Sequence, residues 1–230
     1  MKERKMRTGI ALGSNIGDRL ENLRVARKAI FDLANVNPPI LSSAVYETEP
    51  VGCEPGAGKF LNAVVEFEYE GDPARLLEQL IQIEEALGRK RDHPQNVSRT
   101  IDIDVLYCGD QQINEERLQL PHPRLHLRTF VLRPLADIRS NLILLREKKT
   151  VSDLLADFKD SGAVVRFAES WEIERCKSSR AAPLSAAACV LKWAADLASK
   201  RNERFSRDEA VRRENYRAHG VRLSYRAFAR

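Results

Sequence analysis

No run of apolar residues in this chain approaches the length needed to cross a bilayer. The opening MKERKMRTGIALG has neither the apolar core nor the small-residue cleavage site of a secretory leader. A cytoplasmic protein without a membrane span is therefore expected. Cysteine is scarce: four in 230 residues, at positions 53, 108, 176 and 189, without the close pairing that zinc and dithiol motifs use. They read as scattered thiols in a reducing compartment. There is no internal repeat. The main body also lacks the positive charge of a nucleic-acid binder. The formal charge is +5, but from Arg175 onward 14 Lys and Arg face 5 Asp and Glu, which leaves residues 1–174 with 24 against 28. Nucleic-acid binding is thus not expected, except through the basic tail.

What the chain does have is SRTIDIDVL, residues 98–106, an apolar run carrying two charges. Side chains two apart on a strand point the same way, so Asp102 and Asp104 share one face while Ile101, Ile103 and Val105 share the other. A buried unpaired carboxylate costs several kcal/mol, about 3–5 when a partner is removed, so the aspartates need arginines, a metal ion or an open cleft. Two hard oxygen ligands on one rigid strand suit Mg²⁺, which fills its remaining positions with water and substrate phosphates. The plain alternative is an edge strand whose polar face meets water.

Around that run the pattern alternates between periods of two and of 3.6. RTGIALGSN reads as a strand, and Asp18 and Glu21 stand in capping-box spacing before a helix striped by Leu20, Leu23, Ala26, Ile30 and Leu33. Pro38-Pro39 reads as a break, ILSSAVYE as a second strand, and LNAVVEFEYE as a third after a glycine- and proline-rich loop. Asp72-Pro73 opens a helix that Gly88 closes. Eleven residues, RKRDHPQNVSR, then precede the aspartate strand, and Gly109-Asp110 suggests a hairpin to a minor strand. A loop with a short helix and a final edge strand in AVVRFAES complete the body. Strand, helix, strand, strand, helix, strand is the ferredoxin-like order. Arg89, Arg91 and Arg99 bracket the long loop, and Arg117, His122, Arg124 and Arg128 follow the strand. With the carboxylates they form the parts of a phosphoryl-transfer site.

GSNIGDRLENL, ETEPVG with FLNAVVEFE, GRKR, RTIDIDVLYCG and LPHPRLHLRTFVLRPLADI occur here in the order and spacing of the 6-hydroxymethyl-7,8-dihydropterin pyrophosphokinases, which the chain resembles over about residues 7–165. The resemblance implies an α+β, ferredoxin-like sheet with helices mainly on one face, in a domain spanning 7–168. A basic extension, partly helical or disordered, would occupy 169–230. It implies transfer of diphosphate from ATP to a reduced hydroxymethyl pterin; a monomer is expected. Asp102 and Asp104 would hold two Mg²⁺ ions, and Arg89 and Arg99 would be the catalytic arginines. Glu84, Arg91, Arg117, His122 and Arg128 match ATP-binding positions, and Thr48, Val51, Phe60, Asn62 and Phe130 would form the pterin pocket. The chain departs from the family pattern at Gln95, Asn96 and Ser98, the last where a proline is common. A competing expectation is a catalytically idle ferredoxin-like module that uses its basic tail as an RNA-binding or scaffold element.

Overall fold

Large and small side chains alternate along the first strand, β1 (Lys5–Ser14): Ile10 and Leu12 are buried on one face, and Gly9, Ala11 and Gly13 line the other. The computed structural model describes residues 4–89, 98–144, 146–158 and 164–171, all within the first of the chain's two units, Met1–Val190. Helix α1 (Arg19–Phe31) starts where expected, the Asp18 carboxylate accepting the Glu21 N–H at 3.2 Å. Strands β2 (Val36–Ser42), β3 (Val45–Thr48) and β4 (Phe60–Glu70) follow. Helix α2 (Pro73–Ala86) is capped by Asp72, which accepts the Ala74 N–H at 3.0 Å, with Pro73 in its first turn. The aspartate run forms β5 (Asp102–Cys108).

The second half is more broken than its sequence suggests. Gly109 turns the chain at a positive φ of 56°. The minor strand β6 (Ile113–Asn114) then pairs with β7 (Gln119–Leu120) in a two-stranded sheet of its own rather than folding back on β5. Helix α3 (Thr129–Arg139) is the expected short helix. A second small hairpin, β8 (Ile143–Leu144) with β9 (Lys149–Thr150), and helix α4 (Val151–Asp157) were not foreseen. Strand β10 (Val165–Ala168) is the expected edge strand.

The main sheet runs β10-β3-β4-β1-β5, with β2 also on β4, and every pairing is antiparallel. Eleven residues make β4 long enough to pair β3 at Phe60–Asn62 and β2 between Val65 and Tyr69. The strand expected over ILSSAVYE is therefore two strands. Pro38-Pro39, expected to be a break, lies inside β2, where the register shifts between Asn37 and Leu41. An edge strand tolerates proline at such an irregularity because no ladder N–H is lost there.

Helices cover both faces, where helices mainly on one were expected. On the Ile10 face, Phe31 of α1 meets Phe67 of β4 edge-on, with centroids 6.3 Å apart. On the opposite face, Val64 of β4 and Leu106 of β5 pack with Val131, Leu132 and Leu135 of α3 and with Val151 and Leu154 of α4. Strand β4 is apolar on both faces around Val64, so each must be covered. No helix among the described residues is long and apolar enough to cross a membrane. The basic extension lies outside the described residues from 172 onward.

Past β10 the chain ends its described course on Trp171, which is 2% exposed. Its Nε1–H donates to the Ser43 carbonyl at 2.8 Å, and the Arg27 guanidinium lies 5.3 Å from the ring. Trp171→Ala would leave a large cavity and an unmet carbonyl. We expect it to lower stability by about 3–5 kcal/mol in denaturant unfolding, with Trp171→Phe losing less.

Candidate functional site

The small face of β1 makes room for a pocket. Gly13 pairs with Asn62 on one side and Asp102 on the other, and Ala11 pairs with Val64 and Asp104. A Cβ on Gly13 would stand 3.3 Å from Asn62 Oδ1 and 3.9 Å from Asp102 Cβ. Glycine here lets an amide and a carboxylate flank the strand closely, and above them opens a cavity of about 650 Å³.

Thr48, Val51, Phe60, Asn62 and Phe130 line this cavity together with Arg89, Arg99, Asp102, Asp104 and Arg128. Asn62 and Thr48 are buried, and the Asn62 Nδ2 donates to Thr48 Oγ1 at 2.8 Å, which fixes which way the amide faces. Val51 stands at the mouth, 75% exposed.

Three guanidiniums answer the two aspartates. Asp102 Oδ1 accepts from Arg89 at 2.6 Å and Oδ2 from Arg99 at 2.8 Å. Asp104 Oδ2 accepts from Arg128 at 3.0 Å, with His122 Nε2 at 4.0 Å. Arg128 also lies 5.5 Å from the centre of the Phe130 ring. Behind them Glu84 of α2 accepts the Ile103 N–H at 2.8 Å and pairs with Arg89, tying helix, strand and arginine together. Burial pushes the Glu84 carboxyl up to about 7, against the opposing pull of Arg89 and the Ile103 N–H. For Arg89, burial opposes the charge, but Asp102 and Glu84 prevail and raise its pKa. Burial lowers His122, against the pull of Asp104.

Not every expected residue reaches the cavity. Glu84 lies behind it, holding Arg89, and His122 stands beside Asp104 without lining it. Arg117 is carried by the segment joining β6 to β7 and is exposed to water, away from the lining. The hairpin pairing of Ile113 with Leu120 draws the intervening residues into a separate turn. Arg91, Gln95 and Asn96 lie outside the described residues. Arg124, which the resemblance leaves without a role, does line the cavity, as do Ala11 and Gly13. The alternation in GIALG was the available signal for those last two.

Among the described residues no cluster of three or more His, Cys, Asp or Glu could enclose a metal ion. The donor set is two carboxylates on one strand face beside an open cavity. That suits a cation completing its shell with water and phosphate oxygens, as Mg²⁺ does, and not an all-protein cage.

Residues 9–140, more than half of the chain, match the family model of 7,8-dihydro-6-hydroxymethylpterin-pyrophosphokinase (HPPK). The chain belongs to this family. The 2-amino-4-hydroxy-6-hydroxymethyldihydropteridine pyrophosphokinase of Haemophilus influenzae is 38% identical over 151 residues, which are 66% of this chain and 92% of that protein. The enzyme of the same name from Bacillus subtilis is 47% identical over 129 residues, 56% of this chain and 75% of its own. That of Methylorubrum extorquens is 40% identical over 156 residues, 68% and 96%. Among solved structures, the Plasmodium falciparum HPPK-DHPS with pterin and p-hydroxybenzoate superposes with a TM-score of 0.52 at 16% identity, covering 68% of this chain. That likeness concerns the mixed α/β fold alone, and the chain spans only 44% of the Plasmodium protein. The HPPK match contains β4, β5, α3 and residues 9–14 of β1, the elements that build the cavity.

Glu84 generates a pH test. Its folded pKa of about 7 lies above the unfolded value near 4.5, so protonation favours the fold. The stabilisation is complete below about pH 4.5 and is lost as pH rises through 7. Relative to Glu84→Gln, whose amide oxygen can still accept the Ile103 N–H, the protein should lose on the order of 3 kcal/mol between those limits. Denaturant midpoints of both proteins across pH 4.5–8 check this, and parallel curves would contradict the buried titration.

Proposed function

We propose that this HPPK-family enzyme transfers the β,γ-diphosphate of ATP to the hydroxymethyl group of 6-hydroxymethyl-7,8-dihydropterin and releases AMP, a step of folate biosynthesis. The observation carrying this reading is that Asp102 and Asp104 open into the same cavity as Asn62, Phe60 and Phe130. A polyphosphate site and a heterocycle site thus share one floor. The hydroxymethyl oxygen attacks the β-phosphorus and gives its proton to water, the bond from that phosphorus to the α,β-bridging oxygen breaks, and AMP leaves with the bridging oxygen.

Phe60 and Phe130 supply aromatic surfaces for a flat bicyclic ring, and Asn62, oriented by Thr48, meets its polar edge. Asp102 and Asp104 would hold Mg²⁺, as a pair of ions in our reading, and a metal there would supply charge neutralisation for the triphosphate and lower the pKa of the attacking hydroxyl. Arg89, Arg99 and Arg128, now on the aspartates, have forked donors that fit phosphate oxygens equally well, and Arg89 stays anchored by Glu84. His122, beside Asp104, is placed to donate to the nucleotide. Alignment and charge stabilisation carry most of the rate in such a transfer, so no separate general base is assigned.

A ferredoxin-like classification finds support in the order β5-β1-β4 followed by β2 and β3, with α1 after β1 and α2 after β4. We read residues 7–168 as the catalytic domain, monomeric and cytoplasmic, and 169–230 as a basic appendage. The idle-module alternative has no support among the relatives, which are themselves pyrophosphokinases by name.

The test is AMP release by the full chain, requiring ATP, Mg²⁺ and the hydroxymethyl dihydropterin together. Arg99→Ala should lower turnover on the order of 10³-fold, as loss of a transition-state arginine does. Absence of pterin-dependent AMP from the full chain would defeat the assignment, and near-normal turnover in Arg99→Ala would remove that arginine from the mechanism.

A further inference from the structure

The loop between β3 and β4 and the segment entering β5 are bonded to each other. Both line the cavity: Val51 and Cys53 from the loop, Ser98 and Arg99 from the segment. Glu54 Oε1, in the loop, accepts both the Ser98 N–H at 3.0 Å and the Ser98 hydroxyl at 2.7 Å. That hydroxyl accepts from Asn15 Nδ2 at 3.0 Å, and the same Nδ2 lies 3.4 Å from the Gly58 carbonyl at the far end of the loop. Asn15 then grips Arg99 by both backbone groups. Its Oδ1 accepts the Arg99 N–H at 2.7 Å and its own N–H donates to the Arg99 carbonyl at 3.2 Å. Arg99 finally reaches Asp102 at 2.8 Å. A continuous path of hydrogen bonds therefore runs from the glycine-rich loop through Ser98 and Asn15 to Arg99 and Asp102.

We infer that Glu54 and Ser98 are positioning residues, a link that holds the 49–59 loop over the pterin end in register with Arg99. Neither residue needs to touch a reacting atom. The residue types matter: a serine gives one carboxylate oxygen two donors from a single position, which no alanine or proline there could do. Both donors hold the Glu54 carboxyl below the usual carboxylate range, with the Ser98 hydroxyl the larger cause. Loop order set before substrate arrives lowers what must be ordered on binding, so its loss falls on the substrate that the loop covers. The kinetic part of this inference rests on the reaction proposed above.

Hydrogen–deuterium exchange on the full chain without substrate reads the link directly. Glu54→Ala and Ser98→Ala should each speed exchange in peptides covering 49–59, while Tm moves by less than about 3 °C, as for most exposed substitutions. Glu54→Gln, which keeps an acceptor oxygen, should retain most of the protection. In steady-state assays each alanine variant should raise KM for the hydroxymethyl dihydropterin about three- to tenfold, the effect of one or two hydrogen bonds. KM for ATP should stay within about twofold, and the double variant should be no worse than the worse single, since both break one link. Unchanged exchange in both variants would overturn the link. Faster exchange with unaltered pterin KM, with equal rises for both substrates, or with additive effects would overturn its positioning role. The exchange arm uses no substrate, so an inactive wild-type chain would defeat the assigned reaction without touching the link.

Discussion

Two carboxylates on one face of one strand repel each other and lose hydration together, and the surroundings of β5 answer that constraint. Asp102 is held by Arg89 and Arg99, and Asp104 by Arg128. Each arginine comes from a different place: the end of α2, the entry to β5, and the turn before α3. Three chain segments are thereby drawn to one spot. Such pairs contribute little net stability when exposed and are costly when half-broken, so they specify an arrangement more than they stabilise it.

That arrangement requires a backbone that can come close. On the shared face of β1, β4 and β5 the packing changes along the strands. At the Gly9 end a Cβ would strike the Tyr107 ring at 2.5 Å. The tyrosine fills that space and donates to buried Glu66 at 2.6 Å, and Glu66 is also held by Arg139 of α3. Midway, Val64 and Leu106 lie under α3 and α4. Only toward Gly13 does the cover stop, and there the cavity opens. One strand with small side chains on one face thus serves both a closed polar core and an open site.

Much of this was legible because it is local. Asp18 and Asp72 announce helix starts within three residues, and the Asp102/Asp104 pair declares its shared face by spacing alone. The division of β2 from β3 was not legible, because it depends on how far β4 extends on the neighbouring side. Helix α4 is seven residues long, too short for its period to stand out, and without it the covering of the second face could not be inferred. Arg117 is a related case: its likeness to an ATP contact is a matter of sequence order, and its place on an exposed turn is decided by the small hairpin that carries it. Asn15 sits 84 positions from Arg99, and no window of sequence joins them.

Depth separates the three carboxylates of the site by what each can do. The Glu84 side chain is 5% exposed, whereas those of Asp102 and Asp104 are 26% and 35% exposed. Glu84 accepts a backbone N–H, so moving it would strand a buried donor, which costs about 1–3 kcal/mol before its own charge is considered. It is therefore a fixed anchor. The aspartates are held through the tips of flexible arginines, whose stems can swing to another anion without disturbing the strand. In the reaction we propose, a polyphosphate entering beside them would offer those guanidiniums equivalent oxygen partners while leaving the carboxylates accessible to a cation. The burial gradient would then let one helix residue keep its place as the residues in front of it change partners.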